Sequence, residues 1–468
     1  MVKGSNLSLQ GKHVLVLGLG ESGLAMALWC ARNGAVLRVA DSRADPPSKA
    51  ELLRRAPGAE FISTQFDERF DKSLLAGIGL LALSPGLSGG LMAVIHARAL
   101  GIPVVGEIEL FAQALRDLGL RDQMRIIAVT GTNGKTTTTA LTGHLCAAAG
   151  RPTAVAGNIS PSALTALMAA QDQAMLPAVW VLELSSFQLE TLETLDAEAA
   201  TVLNVSDDHL DRYLDLTDYA AAKARVFAGD GVQVLNRQDW RVKRMAIPGR
   251  RIISFGLDAP GDDVDFGLRQ NRGEAWIVQG DRFLLPVAAL PIAGLHNAAN
   301  AMAALALCSA VGLQVNGLLP GLRSFRGLPH RVEKVAEFGG VGYYDDSKGT
   351  NVGASVAALE GMGRKVVIIL GGDGKGQDFS PLKPAVARHG RAAVLIGRDG
   401  PKIGAALAGC GVPVLSAADM AEAVRTAAAQ AAAGDAVLLS PACASFDMFR
   451  NYEHRAEVFV AAVKGLAP

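Results

Sequence analysis

Short, almost entirely apolar runs separated by alanine-rich, helix-like stretches predict an α/β protein. It divides into three domains, each built on a mostly parallel sheet with flanking helices. The runs at 13–17, 125–129, 180–182, 200–203, 366–370 and 436–439 carry this reading. A strand covered on both faces shows a continuous apolar run rather than an alternating one, and helices between such strands mark a parallel sheet. Three fresh strand-and-loop starts set the number of domains: at Val14, at Ile126, and after the Gly/Pro-containing segment 327–331. The length of 468 residues suits that number.

The expected domains are 1–106, 107–327 and 328–468. A helix from about Glu107 leads straight into the second, so the first boundary is soft. Residues 255–285 are rich in Gly and Asp and alternate in polarity, which predicts a small antiparallel insertion. Residues 298–313 are the most apolar later stretch, too short to span a membrane and interrupted by Asn300 and Ser309. They read as a buried core helix.

Lys plus Arg and Asp plus Glu both number 45, so the formal net charge is zero. Nucleic acid is therefore not an expected partner, because its binders carry a basic excess or stripe. The five cysteines are scattered without a CxxC pair, which argues against a zinc knot and suits a reducing cytoplasm. The N-terminus lacks the order of a signal peptide. A cytoplasmic protein with no membrane span is expected.

The strand 126–129 feeds Thr130-Gly131-Thr132-Asn133-Gly134-Lys135-Thr136, and the chain from Thr137 reads as helix. Glycines let successive amides turn inward around an anion. The helix N-terminus adds free N–H groups and the positive end of its dipole. Lys135 is placed to meet the β/γ-phosphates of ATP, and the Thr136 hydroxyl to take Mg²⁺. The loop is a variant, since Val129 stands where the usual P-loop has its first Gly. Two further strand ends carry metal-competent groups, Glu183 after 180–182 and His209 after 200–204. Ligands of open α/β sheets bind beyond the carboxyl ends of the strands. Carboxylate oxygen suits Mg²⁺, while an imidazole leaves Mn²⁺ open. Alone, Glu183 would read as a helix cap and His209 as a satisfied polar residue.

Near the N-terminus, Gly18-Leu-Gly20-Glu21-Ser22-Gly23 follows a strand and opens a helix, and Asp41 ends the apparent next strand. This matches the dinucleotide fingerprint and by itself suggests NAD, but the same loop holds any diphosphate. The outer domains thus read as Rossmann-like and the central one as P-loop ATPase-like.

Residues 130–136 resemble the ATP loop of the Mur ligases and folylpolyglutamate synthases. Residues 183–190 (Glu-Leu-Ser-Ser-Phe-Gln-Leu-Glu), 204–213 and 440–447 (Ser-Pro-Ala-Cys-Ala-Ser-Phe-Asp) narrow the likeness. With 346–351 and 371–375 they resemble the Mur ligases that add D-glutamate, over essentially the whole chain. The resemblance implies an ATP-dependent amide ligase of peptidoglycan precursor synthesis, joining D-glutamate to UDP-N-acetylmuramoyl-L-alanine, and a monomer. It assigns Gly18, Gly20, Glu21, Ser22, Asp41, Ser42, Arg43, Ser84 and Gly86 to the uridine diphosphate end of that substrate. It assigns Asn158 to the muramoyl portion near the reacting end. Gly131, Thr132, Asn133, Gly134, Lys135, Thr136 and Thr137 cradle ATP, with Asn297 and Asn300 on the adenine side and Arg331 and Asp346 from the third domain. Lys348, Thr350, Lys375, Ser445 and Phe446 surround the D-glutamate.

The resemblance also implies two Mg²⁺ ions, one on Thr136 and Glu183, the other on His209 and Lys223. Lys223 would be carbamylated; without the likeness it reads as an ordinary solvated lysine on a helix. Lys135, His209 and Lys223 are the implied catalytic residues. Two departures stand out: Tyr452 where Phe is common, and Ser160 where Gly is frequent. The alternatives are a sibling ligase, another folylpolyglutamate-type ligase, or a nicotinamide-dependent oxidoreductase. The diaminopimelate-adding sibling would carry Asp-Asn-Pro-Arg, which is absent here, and no separate hydride-transfer site is visible.

Overall fold

The computed structural model describes residues 8–208, 212–292 and 294–466. His209 lies outside the described residues. Three sheets follow one another along the chain. The first contains β1 (His13–Leu17), β2 (Val36–Asp41), β3 (Glu60–Ser63), β4 (Leu80–Leu83) and β5 (Val104–Val105), in the order β3-β2-β1-β4-β5. All its pairings are parallel. Order reverses beside β1, so the loop between β1 and the helix Glu21–Arg32 opens at the switch point where such sheets bind ligands.

The second sheet contains β6 (Arg125–Thr130), β7 (Thr153–Gly157), β8 (Val179–Glu183), β9 (Ala199–Val202), β10 (Val232–Asn236) and β11 (Ile252–Phe255) in its parallel part. In β6 and β8 every residue except Arg125 is buried, which explains their unbroken apolar sequences. Strands β12 (Phe266–Asn271), β13 (Glu274–Gln279) and β14 (Arg282–Pro286) are antiparallel to one another, as the alternation predicts. They extend the main sheet, because Phe266 pairs with Phe255 of β11. The helices Lys135–Ala148 and Leu295–Ala310 cover one face and share a core with Ile127, Val129 and Val181.

The third sheet contains β15 (Glu333–Phe338), β16 (Val341–Asp345), β17 (Val366–Gly371), β18 (Gly390–Ile396), β19 (Val414–Ser416) and β20 (Ala436–Leu439). Its order is β15-β16-β20-β17-β18-β19, with β15 antiparallel and the rest parallel. Among the described residues, no helix is long and apolar enough to cross a membrane.

The helix Glu107–Asp117, which follows β5 directly, is tied to the second domain by two carboxylates. Glu107 accepts from the Leu164 amide at 2.6 Å, and Glu109 accepts from the Glu193 and Thr194 amides and the Thr194 hydroxyl. The third sheet meets the second around the phosphate loop.

Candidate active site at the junction of the second and third sheets

The end of β6 turns through Gly131 and Gly134, both at positive φ, into the helix Lys135–Ala148. At Gly134 a Cβ would lie 2.5 Å from Asn300 Oδ1, so the loop packs directly on the helix Leu295–Ala310. Asn204, just beyond β9, braces the loop. Its backbone oxygen accepts from the Thr132 amide at 2.9 Å, its Oδ1 from the Asn133 amide at 2.8 Å, and its Nδ2 donates to Asn133 O at 3.0 Å. Sequence reading passed over Asn204 as a structural residue.

Lys135 Nζ donates to the Gly131 and Thr132 carbonyls at 2.9 and 2.8 Å. Lys223, on the helix Leu216–Ala224, is buried; its Nζ donates to Gly131 O at 2.9 Å and lies 4.3 Å from the Tyr219 ring centroid. The reading of Lys223 as a solvated lysine is therefore wrong: the helix turns it inward onto the phosphate loop. Burial pushes the Lys223 ammonium well below its ordinary value, and the neighbouring Lys135 pushes it further. Burial likewise lowers Lys135, against the pull of Glu183 and Asp208.

Glu183, at the end of β8, is buried. Its Oε1 accepts from Asn158 Nδ2 at 2.8 Å, while its Oε2 is buried with no hydrogen-bond partner among the described residues. A buried carboxylate oxygen left without a donor is costly, and a cation would relieve it. The donor set fits Mg²⁺: a carboxylate oxygen whose charge is felt by Lys135 of the Gly-rich loop, and the hydroxyl of Thr136 next to that lysine in sequence. Gly157 makes this approach possible, since a Cβ there would lie 2.3 Å from Glu183 O.

From the third domain, Arg331 Nη2 donates to Thr136 Oγ1 at 2.7 Å, and Asn351 Nδ2 to Asn133 Oδ1 at 3.0 Å. Burial lowers the Arg331 guanidinium, with Asp346 and Glu183 pulling the other way. Asp346 is buried and accepts from Ser440 Oγ at 2.6 Å. Burial pushes its carboxyl up to about 7, despite Ser440 and Arg331. Asn133, Arg331, Asp346, Asn297 and Asn300 line one cavity of about 370 Å³, walled by Phe255, Ile292, Leu328 and Ala358. A polar, cationic end and an apolar slot suit a nucleotide.

Lys348 Nζ lies 3.6 Å from the centroid of the Tyr452 ring, and its amide donates to His330 O at 3.3 Å. Burial lowers the Lys348 ammonium, as does Arg331. Thr350 follows in the same turn. Lys375, exposed and at positive φ, belongs to a loop whose Asp373 pairs backbone to backbone with Ala444, which brings it to the loop of buried Ser445 and exposed Phe446. Arg455, which sequence reading missed, is fully buried beneath both loops. It donates to Ser347 Oγ at 2.9 Å, Ser347 O at 2.7 Å and Cys443 O at 3.0 Å. Nothing in the helical stretch 452–464 marks it as anything but one more surface arginine.

The N-terminal loop forms a separate anion-binding geometry. A Cβ on Gly23 would lie 1.9 Å from Gly18 O, and one on Gly18 would lie 2.9 Å from Ser84 Cβ. The loop is thus closed on itself and pressed against Ser84, with Gly86 two residues on. Asp41 Oδ2 accepts from the Leu19 amide at 2.7 Å, and Arg43 Nε and Nη2 both bond the Asp41 carboxylate at 2.8 Å. Burial pushes Asp41 up, but Arg43 and the amides override it and hold it at about 2. Ser42 is exposed beside them. Glu21, opening the first helix, accepts from Ser160 Oγ at 2.9 Å and the Ser162 amide at 3.2 Å. The hydroxyl at the departure Ser160 thus ties the first domain to the segment that carries Asn158.

A diphosphate loop, a second phosphate loop with a buried carboxylate, and a third domain that reaches across to it define an ATP-using ligase architecture. The chain belongs to the Mur ligase family: the MurD-like N-terminal domain matches residues 12–106, the Mur ligase middle domain 129–308, and the Mur ligase glutamate ligase domain 330–443. Within it, the chain is 60% identical to the UDP-N-acetylmuramoylalanine–D-glutamate ligase of Aromatoleum aromaticum, over 98% of each chain. It is 59% identical to the enzyme of that name from Dechloromonas aromatica, over 98% of this chain and 100% of that one. Among solved structures, MurF from Acinetobacter baumannii superposes with a TM-score of 0.61 at 17% identity, covering 98% of this chain and 92% of that one. The UDP-N-acetylmuramate–alanine ligase MurC from Thermotoga maritima gives 0.58 at 19%, covering 97% and 100%. At those identities the likeness speaks for the fold.

Proposed function

We propose that this chain joins D-glutamate to UDP-N-acetylmuramoyl-L-alanine, using ATP, in the assembly of a peptidoglycan precursor, as a cytoplasmic monomer. Residues 1–106 hold the uridine diphosphate end, 107–327 hold ATP and the reacting carboxylate, and 328–468 bring D-glutamate and close the nucleotide site. The observation that carries this reading is the convergence of Lys135, Lys223, Arg331 and Lys348 on one junction. Burial disfavours the charged form of all four, and a polyphosphate would favour it in Lys135, Arg331 and Lys348. The names of the relatives support the choice of acceptor and amino acid.

A carboxylate is a poor electrophile, so the reaction begins by phosphorylating it. One oxygen of the alanyl carboxylate attacks the γ-phosphorus of ATP and ADP leaves. The D-glutamate nitrogen then attacks the acyl carbon, the phosphate departs with that carboxylate oxygen, and the amine loses a proton. Lys135 and Arg331 meet the charge that develops on the transferring phosphoryl group. Asn158 orients Glu183 and lies on the acceptor side. Lys348, Thr350, Lys375 and the loop of Ser445 and Phe446 bind D-glutamate, and Arg455 fixes two of those segments beneath it. Gathering three substrates is largely an entropic task, and docking of the third domain keeps water from the acyl phosphate.

Thr136 and Glu183 would hold one Mg²⁺, and His209 with Lys223 a second. Bound Mg²⁺ supplies charge neutralisation at the phosphate oxygens. Lys223 is suited to carbamylation because burial favours its neutral amine. That amine adds to carbon dioxide and releases a proton, turning a cation into an oxygen ligand. The test of the chemical route is isotopic. Acceptor labelled with ¹⁸O in its carboxylate transfers one label to inorganic phosphate; unlabelled phosphate would exclude the acyl phosphate.

A further inference from the structure

Arg212 is engaged on every side. Its Nε and Nη2 grip Glu190 in a fork, at 3.0 and 2.6 Å. Nη1 donates to Pro85 O at 3.1 Å and Nη2 to Leu87 O at 2.9 Å. Its guanidinium carbon lies 4.2 Å from the Phe187 ring centroid, and only 12% of the side chain is exposed. Glu190 is further held by the Tyr213 hydroxyl at 2.8 Å. A surface ion pair would be worth little. A stacked, forked arginine with two added carbonyl acceptors is a different object, and lysine cannot reproduce it.

The positions it joins matter. Pro85 and Leu87 flank Gly86 in the loop after β4, and Leu87 packs on Gly18, where a Cβ would lie 3.0 Å from Leu87 Cδ1. That loop therefore shapes the N-terminal diphosphate site. Glu190 ends the short helix Ser186–Leu189, which follows directly on Glu183. One side chain thus spans from the nucleotide end of the acceptor site to the segment carrying the carboxylate at its reacting end. Arg32 with Asp172, and Glu21 with Ser160 and Ser162, join the same two domains by other residues, so the domains stay joined without Arg212.

We infer that Arg212 is a positioning residue that sets the spacing between the uridine-side loop 84–87 and the reacting-end segment 183–190. An acceptor anchored by its nucleotide then presents its distant carboxylate in register with ATP. The inference rests on the functional reading above, since it needs a substrate that occupies both ends at once.

The test compares two acceptors: UDP-N-acetylmuramoyl-L-alanine, and 1-phospho-N-acetylmuramoyl-L-alanine, which lacks the uridine end. Wild type, Arg212→Ala and Arg212→Lys are measured by turnover and by calorimetric binding without ATP, with thermal unfolding to confirm that each variant is folded. With the UDP-linked acceptor, Arg212→Ala loses roughly 10- to 100-fold in kcat/KM, the scale of lost hydrogen bonds to a charged group. With the truncated acceptor the same variant stays within about 2-fold of wild type, because no anchor remains to be set in register. Arg212→Lys recovers only part of the loss. Equal proportional losses on both acceptors, or no loss on the UDP-linked one, overturn the inference while the ligase reading stands. Wild-type enzyme that neither binds nor turns over the UDP-linked acceptor overturns both.

Discussion

Arg331 donates a 2.7 Å hydrogen bond to the hydroxyl of Thr136, a residue 195 positions earlier in the chain and in another domain. Thr136 lies in the first turn of the helix that follows the Gly131–Gly134 loop, so the third domain delivers a half-buried guanidinium to that loop. Arg331→Ala is expected to lower kcat about 100- to 1000-fold, the usual cost of removing one group that meets transition-state charge. Arg331→Lys should restore little, since a point charge does not replace the planar fork. Steady-state phosphate release checks both; near-normal turnover in Arg331→Ala would mean that this contact only docks the domains.

Lys223 tests a different element of the site. Its amine is buried against Gly131 O and the Tyr219 ring. Lys223→Ala should lose most activity and regain part of it when short carboxylic acids are added, because they return an oxygen ligand to the same space. Full activity in the variant would sink the carbamate.

Arg455 lies under the loops of Lys348 and Ser445 with no carboxylate among its hydrogen-bond acceptors in the described residues, and burial lowers it to about 10. Arg455→Met removes a buried charge but strands the carbonyls of Ser347 and Cys443. The expected cost is about 2–4 kcal/mol in chemical unfolding. A rise in KM for D-glutamate that exceeds any rise in KM for ATP should accompany it. A uniform rise would assign Arg455 to the stability of the sheet alone.

Much of this architecture is legible in the sequence. Strands β6, β8, β17 and β20 announce themselves because both faces are buried, and the phosphate loop because its glycines serve one purpose. Arg455, Arg212 and Asn204 were not legible as functional residues. Each makes bonds to backbone carbonyls or amides far away in sequence, and such bonds leave no partner type to look for; the Glu190 carboxylate that Arg212 also grips is one acid among many. Lys223 was misjudged on its own sequence for a related reason: an alanine-rich helix does not declare which of its faces is turned in, and the fold decided that. The insertion 255–285 was predicted antiparallel, and is so in β12–β14, but its continuity with the main sheet depends on the single pairing of Phe255 with Phe266.

Glu107 gives a pH dependence. Burial raises its carboxyl to about 7, the charge of Glu21 adds to this, and the Leu164 and Ala163 amides oppose it. Between its unfolded value near 4.5 and about 7, the folded state keeps a proton that the unfolded state has lost. Stability therefore falls as pH rises through this window. Glu107→Gln retains the acceptor for the Leu164 amide and cannot ionise. Its melting temperature should decline less than that of wild type from about pH 5 to about pH 8.5. Parallel curves for the two proteins would contradict this assignment.

The most direct measurement is release of phosphate from ATP with the other two substrates added singly and together. A ligase working through the site described here releases phosphate at full rate only when UDP-N-acetylmuramoyl-L-alanine and D-glutamate are both present, and L-glutamate does not replace the D-isomer. Equal rates with L-glutamate or with a folate acceptor, or release that ignores both partners, would contradict it.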